Sequence, residues 1–137
     1  MICGMARALV TTMLNPKIYG TLTEGQARII RESDIQELVN LFDICQTARQ
    51  AAYGVAHQPR CDETILTIEA FAINHLDLLI DALTRELEER VPKTSIELER
   101  RNETLCQWAM RCGSYTDAAK LLVDMVSNEK NLPEHLD

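Results

Sequence analysis

The sequence predicts an all-α fold: a single-domain bundle of about five mostly antiparallel helices, built on a long central helical hairpin. Three observations carry that expectation. Apolar residues recur at steps of three and four over long stretches, most clearly in 34–57 and 62–90, the spacing of one helix face. Hydrophobic residues make up 46% of the 137-residue chain, yet aromatics make up only 4%, which suits a core packed from Leu, Ile and Ala. The connections between the periodic runs are short, and short links set consecutive helices antiparallel. One core suffices for a chain of this length, so 1–137 reads as one domain, with 1–20 and 129–137 as its looser ends.

The first element, "MICGMARALVTTML", reads as a helix through about Leu14, broken at Pro16 and Gly20 in "NPKIYG". It lacks the basic start and clear cleavage site of a signal peptide. No run reaches the roughly 18 to 20 apolar residues of a membrane span. Thr23 then caps a short helix carrying Ala27, Ile29 and Ile30. Ser33-x-x-Gln36 has the pattern of a capping box at the start of a longer run. There Leu38, Leu41, Phe42, Cys45, Ala48, Ala52 and Val55 share a face, and the helix ends near His57.

A connection around Pro59 leads to Asp62, a cap for the longest helix, which Val91-Pro92 stops near residue 90. Its main stripe is Ile65, Ile68, Ala72, Leu76, Leu79, Leu83 and Leu87. Two further apolar lines, Leu66-Ala70-Ile73-Ile80 and Phe71-Leu78-Ala82, run beside it. A helix apolar on so many sides is either central or part of a dimer face. Thr94-x-x-Glu97 is a second capping box, and Leu98, Leu105, Trp108, Ala109 and Cys112 form a stripe that ends at Gly113. The chain restarts at Ser114 into a helix over 115–127, with Tyr115 expected to pack across the corner.

The charged stretches "RELEERVPK" and "IELERR" read as a solvated face with i, i+4 pairs. With 14 basic against 21 acidic residues the net charge is -7, which excludes a general attraction to phosphate backbones or anionic lipid and favours protein partners. Five cysteines, an odd number without a C-x-x-C pair, point to a reduced, cytoplasmic setting. His57-x-x-x-Cys61, with Cys45 nearby, lacks the paired close spacing of a zinc site, so no metal or other cofactor is expected. His75 lies on an apolar helix line with no nucleophile turn beside it, and the carboxylates Glu63, Glu69 and Asp77 are dispersed. No catalytic set emerges.

The segment "CGSYTDAAKLL" resembles the first helix of factor-for-inversion-type DNA-binding units, which implies a DNA-reading helix-turn-helix. The turn position holds Val123-Asp124 without Gly, and "MVSNEKNLPEHL" is acidic and interrupted by Pro133, so the charge a duplex requires is missing. Gly113, Tyr115 and Ala118 are similar to the inter-helix signature of a tetratricopeptide hairpin. That resemblance implies an antiparallel pair and carries no functional residue.

The expected function is that of a small non-enzymatic protein-binding module, in the style of bacterial or phage regulators, that regulates or inhibits a partner through a helical surface. Homodimerisation is expected through Ile68, Phe71, His75 and Leu78, with Trp108 and Tyr115 as aromatic anchors for the partner. The alternative is a DNA-associated transcription regulator using the C-terminal hairpin.

Overall fold

The computed structural model describes residues 22–58 and 65–136, and among them every regular element is helical. The helices are α1 (Glu24–Glu32), α2 (Ile35–Ala56), α3 (65–89), α4 (Ser95–Arg111) and α5 (Tyr115–Asn128), followed by one 3-10 turn, Glu129–Asn131. The helix expected before Leu14, the Asp62 cap and the link around Pro59 lie outside the described residues.

Local chemistry fixes most helix ends. Thr23 caps α1 with a complete capping box: Gln26 N donates to its Oγ1 at 3.1 Å, and Thr23 N donates to Gln26 Oε1 at 3.0 Å. Ser33 does not begin α2. It closes α1, with its hydroxyl donating to Ile29 O at 2.5 Å, while Asp34 caps α2 by accepting from Glu37 N at 2.8 Å. Two capping residues stand side by side, and the charged one takes the free N–H groups because their partial positive charge favours an anion. Thr94 caps α4 as expected, but the Glu97 carboxylate accepts from Lys93 N, one residue earlier than a capping box requires.

At the α4 to α5 corner Gly113 has φ 76°, a left-handed conformation that a side chain would strain. Ser114 N donates to Ala109 O at 2.8 Å and Gly113 N to Met110 O at 3.0 Å, the two bonds of a Schellman stop. Ser114 Oγ then donates to Asp117 across the first turn of α5, both residues buried. Tyr115 faces outward instead of packing over the corner.

Helix α3 is not a uniform α-helix. An α-turn, Ile65–Ile68, passes through a π stretch, Glu69–Ile73, into α-helix Asn74–Glu89. The wider turn rotates everything before it relative to everything after it. The expected line from Leu66 to Ile80 is therefore split, with Ile73 and Ile80 in the core and Leu66 exposed.

The main core joins Ile30, Leu38, Val39, Phe42, Ile80, Leu83, Leu87 and Leu105 from α1 to α4. A smaller cluster, Cys106, Ala109 and Ala118, seats α5 on α4, and Leu121 packs against both. On α2 the buried face runs through Gln46 and Ala56, leaving Ala48 and Val55 of the expected stripe outside. Arg49 pairs with Asp77 of α3 and lies 4.7 Å from the Tyr53 ring centre.

Two arginines from the charged stretches are clamps. Arg90 donates to the carbonyls of Arg31 and Ser33 at 2.6 Å each, closing the C-terminus of α1, and is held by Glu86 at 2.8 Å. Arg101 of α4 donates to Leu87 O at 2.7 Å and Glu88 O at 3.1 Å, closing the C-terminus of α3. Cationic donors suit the unpaired carbonyls of a helix end, and here each one comes from a later element.

Cys45 and Cys106 are free, buried thiols. Cys112, expected in the core, is exposed and disulfide-bonded. Burial raises the Cys45 and Cys106 pKa values above the ordinary 9.0, and Glu103 adds to the rise at Cys106. Their neutral state favours the fold fully below the ordinary value, and that contribution is lost as pH rises through the higher folded value. At pH 8 both thiols should react with a maleimide more than about tenfold more slowly in the native protein than in denaturant. Equal rates, measured site by site by mass spectrometry, would show that neither is enclosed.

Candidate functional site

Helix α5 carries apolar residues on two faces. One face, with buried Asp117 and Ala118 and half-buried Leu121 and Met125, lies against α4. That side is also pinned by polar contacts: Asn102 Nδ2 donates to Leu121 O and to Asp124 Oδ2 at 3.1 Å each, and the Cys106 thiol lies 3.7 Å from Ala118 O. The other face holds Tyr115, Ala119, Leu122 and Val126 at steps of four, three and four, with Val123 at its edge. Tyr115 is 67% exposed and Val126 70% exposed, so no described residue covers the ends of this strip. The strip is apolar, and the helix that carries it is fixed from behind by these polar contacts.

The anchors expected from sequence are not brought together. Trp108 turns inward, its ring 5.9 Å from Phe42 in an edge-on contact between α4 and α2, while Tyr115 points outward on α5. Of the residues expected at a self-association seam, Phe71 is 87% exposed in the π stretch, whereas Ile68, His75 and Leu78 are half-buried. His75 Nε2 lies 3.2 Å from the Gln26 amide nitrogen, which ties it to α1. Sequence reasoning missed Leu122 and Val126. The signal was present in "AAKLLVDMV", which holds more apolar residues than one buried face of a helix can use.

Metal-ligating side chains do not cluster among the described residues. No group of three or more His, Cys, Asp or Glu side chains there could hold a metal ion. Of the dispersed carboxylates, Asp77 is engaged with Arg49, Glu69 sits in the π stretch, and Glu63 lies outside the described residues. No described helix is long and apolar enough to cross a membrane.

No protein-family model, curated protein or solved structure matches the chain.

Proposed function

We propose that the chain is a non-enzymatic protein-binding module that regulates or inhibits a partner, and that the outer face of α5 is its contact surface. The strip Tyr115, Ala119, Leu122 and Val126 carries this reading. Its 4-3-4 spacing is that of a coiled-coil seam, and the small Ala119 lets a second backbone approach. The occupant that fits is an amphipathic helix of another protein, laid along α5. Duplex DNA fits this face poorly, since it is apolar and the chain as a whole is acidic.

Homodimerisation belongs to the same proposal, with Phe71 as the exposed contact and Ile68, His75 and Leu78 around it. A cytoplasmic setting is supported by the free thiols of Cys45 and Cys106 and opposed by the disulfide at Cys112. Counting alkylated thiols in acid-quenched cells decides between the two compartments.

Val126→Glu is expected to leave the thermal midpoint within about 2 °C of wild type, because the position is exposed. The same change should abolish recovery of a stoichiometric protein partner from the native host. Phe71→Glu should retain that partner while shifting the mass seen by light scattering from dimer to monomer. A partner recovered equally by wild type and Val126→Glu rejects the α5 face, and a wild-type monomer at all concentrations rejects the dimer.

A further inference from the structure

A pocket of about 270 Å³ opens between the N-terminal half of α4 and the C-terminal end of α5. Pro92, Leu98 and Leu132 give it an apolar side, and Arg101, Asp124, Asn128 and Asn131 supply its polar groups. Ser95 N donates to Pro133 O at 2.8 Å, which folds the C-terminal segment back onto the start of α4.

The polar groups are only partly used by the fold. A guanidinium has five N–H bonds. In Arg101, Nε donates to Leu87 O at 2.7 Å, Nη2 to Glu88 O at 3.1 Å and Nη1 to Asn102 Oδ1 at 2.8 Å. One N–H on each terminal nitrogen is left without an acceptor among the described residues. Asp124 accepts from Asn102 at Oδ2, 3.1 Å, and from Asn128 at Oδ1, 2.6 Å, which leaves each oxygen a further lone pair. Arg101 and Asp124 make no direct ion pair with each other among the described residues. Burial lowers the Arg101 pKa from its usual value, and the carboxylates of Asp124 and Glu88 oppose that shift.

Two opposite charges with spare bonding capacity therefore line one small cavity beside an apolar patch. A simple anion placed there meets Asp124, and a simple cation meets Arg101. A neutral apolar molecule would strip water from both charges and return nothing. A volume just under the usual range of about 300 to 1,000 Å³ admits only a small molecule.

We propose that this pocket binds a free zwitterionic α-amino acid with an apolar side chain. The carboxylate takes the two spare N–H bonds of Arg101 and the ammonium donates to Asp124. The side chain lies against Pro92, Leu98 and Leu132. The site is separate from the outer face of α5, so a variant that disables one leaves the other measurable.

The test is titration of the full ¹⁵N-labelled chain with L-leucine, followed by amide correlation spectra. Saturable shifts confined to residues near the pocket are expected, with a Kd on the order of 1 mM or tighter. N-acetyl-L-leucine, which lacks the ammonium, and L-leucinamide, which lacks the carboxylate, should each bind at least about tenfold more weakly. Asn131→Trp, at an exposed position in the tail, should fill the pocket and remove the L-leucine shifts while the rest of the spectrum is preserved. Absence of saturable shifts up to about 10 mM overturns the proposal. Equal binding of N-acetyl-L-leucine, or unchanged L-leucine binding in Asn131→Trp, overturns it as well.

Discussion

Ile73→Ala is expected to destabilise the protein by about 3 kcal/mol, while Leu66→Ala, seven residues away, changes stability by less than about 0.5 kcal/mol. The contrast tests the π stretch in α3. In a uniform α-helix Leu66, Ile73 and Ile80 are separated by two turns each and share one face. In the structure Ile73 is 1% exposed and Ile80 fully buried, while Leu66 is 75% exposed. A change of pitch over Glu69–Ile73 turns the first away from the other two. Truncating Ile73 leaves a cavity that its rigid neighbours fill only in part, so the cost is the lost transfer energy plus the void. Leu66, before the wide turn, has little burial to lose. Urea denaturation of both variants gives the comparison, and in thermal unfolding Ile73→Ala should lower Tm by about 10 °C. Similar losses for the two variants would mean that Leu66 shares the buried face of Ile73 and Ile80, as in a uniform α-helix.

The same helix shows what the sequence makes legible and what it does not. Ends set by residues acting on their own neighbours can be read directly: Thr23, Thr94 and Gly113 do what their side chains, or the lack of one, dictate. Ser33 and Asp34 compete for one role, and a pattern search picks the first, although the carboxylate is the better partner for the helix start. The π stretch escapes reading because a period of 3.6 is assumed throughout, and one added residue moves an apolar line to another face. Arg90 and Arg101 escape for a different reason. Along the chain they look like members of i, i+4 pairs, and Arg90 does pair with Glu86. Their larger role is to close the ends of α1 and α3, which depends on neighbours 13 to 60 positions away. The candidate contact face follows the same logic. An excess of apolar residues in α5 is visible in sequence, but which of its two faces meets α4 is decided by where Asn102 and Cys106 stand.

Asn102→Ala is expected to cost about 4 kcal/mol, the largest effect of any polar substitution in the described fold. Asn102 is 1% exposed and serves three groups at once. Its amide nitrogen donates to Leu121 O and to Asp124, and its oxygen accepts from Arg101 at 2.8 Å. Two of those partners are charged, and hydrogen bonds to charged groups contribute about 1.5 to 3 kcal/mol each because a desolvated charge is costly to leave unmatched. Removing the amide therefore loosens the hold of α4 on α5 and, through Arg101, the closure of α3. Asn102→Asp separates these contributions. It preserves an acceptor for Arg101 but replaces the donor that Asp124 used with a second acceptor, so two carboxylates face each other in the folded state. Such a pair resists full ionisation and binds protons more tightly than it would unfolded, so the variant should regain stability as pH falls from 7 towards 5. Adding Asp124→Asn to Asn102→Asp restores a donor and an acceptor across the same contact. The double variant should recover at least about 1.5 kcal/mol relative to the sum of the singles, a coupling that a denaturation cycle measures. Strict additivity would mean that Asn102 acts by filling space, and that α5 is held on α4 by apolar packing alone.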